Sequence, residues 1–255
     1  MKISVLLANN FDESEYKEFF NNSVCMVIDV LRATSTIAAI FESRAKRIIT
    51  SQSKDLAFRL KKWNGDFILC GEEDGLIIDG FDYDNSPSTI SKTDLTGKTI
   101  VMKTTNGTRS FKKAEFAKAA FPVALLNLSY TVDCVLDYAC KDKSDIVILC
   151  SGKQGKIAYD DAFAAGVVIK KIMEKVEDIE LDDAGELVYN SALKERSIMN
   201  VFLKSSSGKS CAALNLREDL KYCSLVDRYN IAGKMKVLDL NDRFRSIICL
   251  EPYKM

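Results

Sequence analysis

Short apolar runs recur along the chain, separated by stretches in which apolar residues fall at helical spacing. Val24 to Ile28 is unbroken and reads as a strand buried on both faces, and Asp145 to Cys150 reads the same way. Lys2–Leu7, Arg47–Thr50, Phe67–Cys70, Thr99–Met102 and Lys118–Val123 read as further strands. Lys236–Leu240 and Ile247–Leu250 read as a pair around Asn241-Asp242. A helix is predicted from about Thr34 to Glu42. Another follows Ser53, with Leu56, Leu60 and Trp63 on one face and Asn64-Gly65 at its end. Ser129 or Thr131 caps a third, whose apolar face is Val132, Val135, Leu136 and Ala139. A fourth opens on Asp160-Asp161 and turns Ala165, Val168, Ile169, Ile172, Met173 and Val176 inward. The last long helix runs from about Asp183 to Phe202, with Asp183 and Glu186 as a capping pair. Ser205-Ser206-Ser207-Gly208 reads as a polar break and Glu218–Leu225 as a short helix. Asn9–Phe20 reads as loop or short helix, and Gly80–Pro87 as a long polar loop. Strands alternating with helices predict an α/β chain with a mostly parallel sheet, divided near residue 120 into 1–120 and 121–255.

Composition narrows the chemistry. Lys plus Arg and Asp plus Glu are both 36, so the balance gives no reason to expect nucleic acid or a membrane as partner. Met1–Leu7 lacks a basic n-region, and no run reaches membrane-spanning length. The eight cysteines are scattered, several within apolar runs, and none forms a C-x-x-C pair. They suit a reducing, cytoplasmic setting and give no support to zinc. A homo-oligomer stays open. Histidine is absent altogether. That removes Ser-His-Asp and Cys-His catalysis and leaves proton transfer to carboxylate, lysine, thiol or metal-bound water. Any metal site would be oxygen-rich, which favours Mg²⁺ or Mn²⁺.

Two familiar patterns fail on their own terms. Gly208-Lys209-Ser210 resembles the end of a P-loop, yet Leu203 stands where its first glycine belongs and a helix precedes it. Asp29-Val30-Leu31-Arg32-Ala33-Thr34 resembles the aspartate phosphatases of the haloacid dehalogenase class. Those need a second acid two places after the first, where this chain has Leu31.

The chemistry concentrates at polar junctions that follow apolar strands. These are Asp29/Arg32, Glu72, Asn85-Ser86, Lys103 to Thr108, and Ser151 to Gly155. In open α/β sheets such junctions gather at the carboxyl edge of the strands. Asp29 ends the most buried strand and faces a helix start, whose free N–H groups favour an anion. Arg32 adds a planar cation suited to phosphate, sulfonate or carboxylate. Carboxylates, amides, hydroxyls and a few cations suit a Mg²⁺ ion facing an oxyanion-rich substrate. The plainer alternative is a set of caps and surface charges, with Asp160-Asp161 only complementing a helix dipole.

These motifs stand in a recognisable order. Ile28 to Thr36, Gly71-Glu72, Gly80-Phe81-Asp82 with Asn85-Ser86-Pro87, Thr104 to Arg109, and Cys150-Ser151-Gly152 with Asp160-Asp161 resemble the motifs of the 2-phosphosulfolactate phosphatases. A weaker match continues to Glu218–Cys223. The resemblance implies two α/β domains with mostly parallel sheets and the active site between them. It implies a Mg²⁺-dependent phosphatase converting (R)-2-phospho-3-sulfolactate to 3-sulfolactate and phosphate, a step of coenzyme M biosynthesis. On that basis Asp29, Glu72 and Asp161 would hold the metal, and Arg32 and Lys103 would clamp phosphate or sulfonate. Thr104, Asn106, Gly107, Thr108, Ser151 and Gly152 would donate to the substrate, and Asn85 and Ser86 would position its carboxylate or a metal-bound water. Metal-activated water, Asp29 and Cys150 all stay open as nucleophile. Glu73 and Asp84 depart from the family pattern, which commonly has arginine and glycine there. Both add negative charge. They keep two alternatives in view: another small phosphomonoester as substrate, or a non-catalytic binder of small anions.

Overall fold

A computed structural model describes residues 1–12, 17 and 19–254. The Asn9–Phe20 expectation falls partly outside them. The chain opens with β1 (Lys2–Leu6), β2 (Ser23–Ile28), α1 (Ala33–Glu42), β3 (Arg47–Thr50), α2 (Lys54–Trp63), β4 (Ile68–Glu73) and β5 (Leu76–Ile77). It continues through α3 (Pro87–Ile90), β6 (Thr99–Lys103), α4 (Gly107–Lys113), β7 (Ala119–Val123), α5 (Leu128–Asp142), β8 (Asp145–Cys150) and α6 (Tyr159–Met173). It ends with β9 (Glu180–Leu181), α7 (Asp183–Lys194), α8 (Ile198–Lys204), α9 (Ser206–Ala213), α10 (Arg217–Cys223), β10 (Ala232–Leu238) and β11 (Ile247–Tyr253).

The fold is α/β, with two sheets. The first is wholly parallel, in the order β7-β2-β8-β1-β9. The second runs β10-β11-β3-β6-β4-β5, parallel through β3, β6 and β4 and antiparallel at both edges. Both draw strands from either side of residue 120. Alternation along β2 shows why it reads as continuously apolar. Val24, Met26 and Ile28 enter a core shared with α5 and α6, while Cys25 and Val27 face the opposite way into a core between the two sheets. That second core also takes Ile48, Ile100, Met102, Ile248 and Leu250 from the mixed sheet and Ile37 and Ile40 from α1. The far side of the mixed sheet is closed by α2, through Ala57 and Leu60.

Lying between the sheets, α1 is buried from Ala33 to Phe41. Its sequence, Ala-Thr-Ser-Thr-Ile-Ala-Ala-Ile-Phe, has no solvated face to offer, as such a position requires.

The C-terminal half departs from the sequence reading in several places. The long helix from Asp183 is two helices, because Ser197 caps a new one by accepting the Asn200 N–H. Its N-cap is Asp182, which accepts from Gly185. Ser205 also caps a helix, accepting from Gly208, so the polar break is a helix start. Neither Ser129 nor Thr131 caps α5. Asp227 does so from a distance, taking the Ser129 N–H at 2.6 Å. In addition, β10 begins four residues earlier than predicted.

Candidate active site

The carboxyl ends of strands from both sheets border one cleft of about 430 Å³. From the parallel sheet come Asp29 and Arg32 after β2, and Gly152 and Lys153 after β8. From the mixed sheet come Glu72 at the end of β4, and Thr104, Thr105 and Asn106 after β6. Asn85, Asp160, Asp161, Ser207, Ser210 and Cys211 complete most of the wall.

Asp29 is held at its base by the first turn of α1. Its Oδ1 accepts the Ala33 N–H at 3.4 Å, and its own N–H meets Thr34 Oγ1 at 3.3 Å. Gly107 packs against the other oxygen. A Cβ there would stand 3.0 Å from Asp29 Oδ2 and 2.8 Å from Ala33 Cβ, so this position serves close approach. Burial, with repulsion from Glu72 and Asp160, lifts the Asp29 carboxyl to about 7, against the opposing pull of the Ala33 N–H and Arg32.

The neighbouring carboxylates divide into two kinds. Glu72 and Asp161 tie loops together. Glu72 accepts the N–H groups of Thr105 and Gly75, each at 2.7 Å, so the β4–β5 hairpin is bound to the β6–α4 loop. Asp161 accepts from Val30 N–H at 2.9 Å and Gly152 N–H at 3.0 Å, joining the β2–α1 and β8–α6 loops of the parallel sheet. Burial, then Asp160 and Asp29, raise Asp161 well above the ordinary carboxylate range. Asp160 is different. It is 1% exposed, and its Oδ1 has no hydrogen-bond partner among the described residues. Burial raises it too, opposed by the hydroxyls of Ser205 and Ser207.

Among the described residues, Arg32 carries the one guanidinium in the cleft wall. One terminal nitrogen donates to Asp219 at 2.6 Å and the other to the Gly75 carbonyl at 3.1 Å, and Asp84 lies 3.6 Å away. Lys153 donates to the Ser206 carbonyl and to Ser210 Oγ.

The sequence-predicted residues thus separate. Asp29, Arg32, Glu72, Asn85, Thr104, Asn106, Gly152 and Asp161 share the cleft. Lys103, Ser86, Gly107, Thr108 and Ser151 stand behind it. The Lys103 ammonium is taken up by the Glu72 carbonyl and Glu73. Ser86 donates to Asp219, Ser151 shares a hydrogen bond with Ser110, and Thr108 donates to the Thr104 carbonyl. The Gly152 N–H is already engaged by Asp161. Cys150 is fully buried and is not part of the cleft wall, and burial, with Asp161 and Asp160, pushes its thiol up, a setting that disfavours a thiolate. Lys153 lies in the Ser151 to Gly155 junction but was given no role of its own. Asp219, Ser207 and Ser210 were given none either, although the Glu218–Cys223 match, the Ser205–Gly208 break and the discounted Gly208-Lys209-Ser210 pattern drew attention to those regions.

A metal would find hard oxygen donors here. Asp29 and Asp160 repel one another in a buried setting, and one oxygen of Asp160 is unpartnered, as is Asn85 Oδ1. That donor chemistry fits Mg²⁺. Among the described residues no three acidic or thiol side chains are grouped to enclose an ion. A site of one or two carboxylates completed by water is the arrangement that Mg²⁺ ordinarily takes.

Buried carboxylates and a guanidinium thus meet at the strand ends of an α/β scaffold, and comparison with known proteins gives the class as phosphoric monoester hydrolase. The family model for 2-phosphosulpholactate phosphatase matches residues 10–237. A probable 2-phosphosulfolactate phosphatase of Caldanaerobacter subterraneus subsp. tengcongensis is 35% identical over 232 residues, covering 89% of this chain and 92% of the relative. Those of Clostridium acetobutylicum and Deinococcus radiodurans are each 31% identical, over 229 and 202 residues. They cover 89% and 79% of this chain, and 94% and 82% of the relatives. The chain belongs to the 2-phosphosulfolactate phosphatase family.

Proposed function

We propose that this enzyme hydrolyses (R)-2-phospho-3-sulfolactate to 3-sulfolactate and phosphate with Mg²⁺, the reaction type that serves coenzyme M biosynthesis. Family membership supports the substrate. The observation that carries the chemistry is the pairing, in one cleft, of buried Asp29 and Asp160 with the Arg32 guanidinium. Asp29 and Asp160 would hold the metal, which when bound supplies charge for the phosphoryl oxygens and lowers the pKa of a water ligand. Glu72 and Asp161 act behind them, fixing the loops that aim the donors. Arg32 donates to an anionic group of the substrate, and Thr104 and Asn106 from the mixed sheet and Lys153 from the parallel sheet offer further polar contacts. Such groups are arranged in advance, so little reorganisation is needed as charge spreads over the transferring phosphoryl group. Eight unpaired cysteines support a reducing, cytoplasmic setting. No helix among the described residues is long and apolar enough to cross a membrane.

Phosphate release from phosphosulfolactate, with Mg²⁺ or EDTA, tests this reading. Asp29→Asn is expected to lower kcat by at least about a hundredfold, the scale of losing one preorganised electrostatic group. Equal turnover of phospholactate would redirect the substrate assignment to a phosphomonoester without sulfonate. The acid pair Glu73 and Asp84, beside Lys103 and Arg32, is the observation that favours this second reading. No phosphate release from any substrate would leave an anion-binding protein.

A further inference from the structure

The weak C-terminal motif Glu218–Cys223 has no place in the chemistry so far, yet it supplies the cleft's most intimate charge contact. Asp219 stands on α10, 187 positions from Arg32, and its Oδ2 takes an Arg32 N–H at 2.6 Å. The side chains of this pair are 3% and 2% exposed. The other Asp219 oxygen is equally occupied, accepting the Ser86 hydroxyl at 2.7 Å, the Ser88 hydroxyl at 2.6 Å and the Ser88 N–H at 3.3 Å. Asp219 is therefore pinned to the start of α3 and cannot follow the arginine if it moves. Arg32 itself is shared. Its second terminal nitrogen goes to the Gly75 carbonyl, and Asp84, a quarter exposed, forms a looser ion pair at 3.6 Å with the same nitrogen that Asp219 takes. A guanidinium has five N–H donors in a rigid plane, so fixing two of its contacts sets where the remaining donors point.

We propose that Asp219 is a positioning residue: it holds the Arg32 guanidinium in the cleft wall against the competing pull of the Asp84 carboxylate, so that its remaining N–H groups receive an anionic group of the substrate. The Glu218–Cys223 segment thereby belongs to the substrate-binding apparatus although Asp219 itself does not reach the cleft surface. The inference rests on the reading of Arg32 as an anion-binding group. It makes Asp219 matter for binding anions, over and above the fold. Asp219→Asn is the informative variant, because the amide keeps an oxygen for the serine hydroxyls and changes shape little. Without the carboxylate charge, Asp84 is the nearest acid left to attract Arg32.

The test measures sulfate binding by calorimetry, melting temperature, and KM and kcat for phosphosulfolactate, on the full chain. In Asp219→Asn, sulfate affinity is expected to fall tenfold or more and KM to rise by a similar factor, with kcat changing less than KM. Adding Asp84→Asn to that variant is expected to recover part of the sulfate affinity, since the competitor is gone. A merely structural Asp219 predicts otherwise: a lower melting temperature, kcat reduced with the folded fraction, unchanged sulfate affinity per folded molecule, and no recovery in the double variant. That result overturns the proposal, as does sulfate binding that is undetectable in the wild type. Failure of phosphosulfolactate turnover in the wild type counts against the substrate assignment alone, because the sulfate measurement needs no turnover.

Discussion

Asp29 shows how one side chain can be made reactive by its surroundings. Its folded-state value of about 7 lies above the ordinary 3.8, chiefly because burial disfavours the charge. The folded protein therefore holds this proton more tightly than the unfolded chain does. The stabilising effect is full below about pH 4 and is lost as pH rises toward 7. Metal-free protein in EDTA is expected to melt progressively lower over that window, and Asp29→Asn to flatten the trend. Melting curves at several pH values decide it; an identical slope in both proteins would show that other groups carry the effect. Asp29 was legible because it ends the clearest strand in the chain. Asp160 was visible in the sequence yet easily taken for a dipole complement, since spacing says nothing of an unpartnered buried oxygen.

At the scale of elements, the cleft depends on loops joined by carboxylates. Asp161 satisfies two backbone N–H groups from different loops, one with each carboxylate oxygen, and an asparagine there turns an NH2 donor toward one of them, leaving that N–H without its acceptor in a buried place. Losing such a bond costs about 1–3 kcal/mol. Asp161→Asn should therefore lower the melting temperature by several degrees while Mn²⁺ affinity, read by electron paramagnetic resonance, falls little. Asp160→Asn should do the reverse, keeping the melting temperature and losing Mn²⁺ affinity tenfold. The opposite pattern would return the metal to Asp161. Elements were unevenly readable. Strands such as β2 and β8 announce themselves by unbroken apolar runs. Two-residue strands such as β5 and β9 are too short to show a period. The break before Ser197 was hidden because it falls in the polar run Lys194-Glu195-Arg196-Ser197, which an exposed helical turn would carry equally well, and only the cap marks the restart. The reach of Asp227 to α5 joins residues 98 positions apart, a distance over which local spacing is silent.

For the whole molecule, alternation of strand and helix was enough to indicate the α/β class. It could not say that β11 would pair with β3, or that residues from both chain halves would share each sheet. Those pairings follow from where apolar surface must be covered, which is a property of the assembled core. The same assembly encloses α1 between two sheets, with Asp29 and Arg32 at its entrance. Across the cleft, Leu76 and Ile77 of the β4–β5 hairpin are more than half exposed and pair only along one edge. The two walls therefore run on different clocks. Deuterium should enter the amides of Ile37–Ile40 only when the molecule opens globally, and those of Leu76–Ile77 through local fluctuations orders of magnitude sooner. Comparable protection at both places, measured by hydrogen exchange, would contradict this. A substrate entering the cleft meets one wall that is fixed for the lifetime of the folded state. Its adjustments have to be made by the other, whose Gly75 carbonyl is also a hand on Arg32.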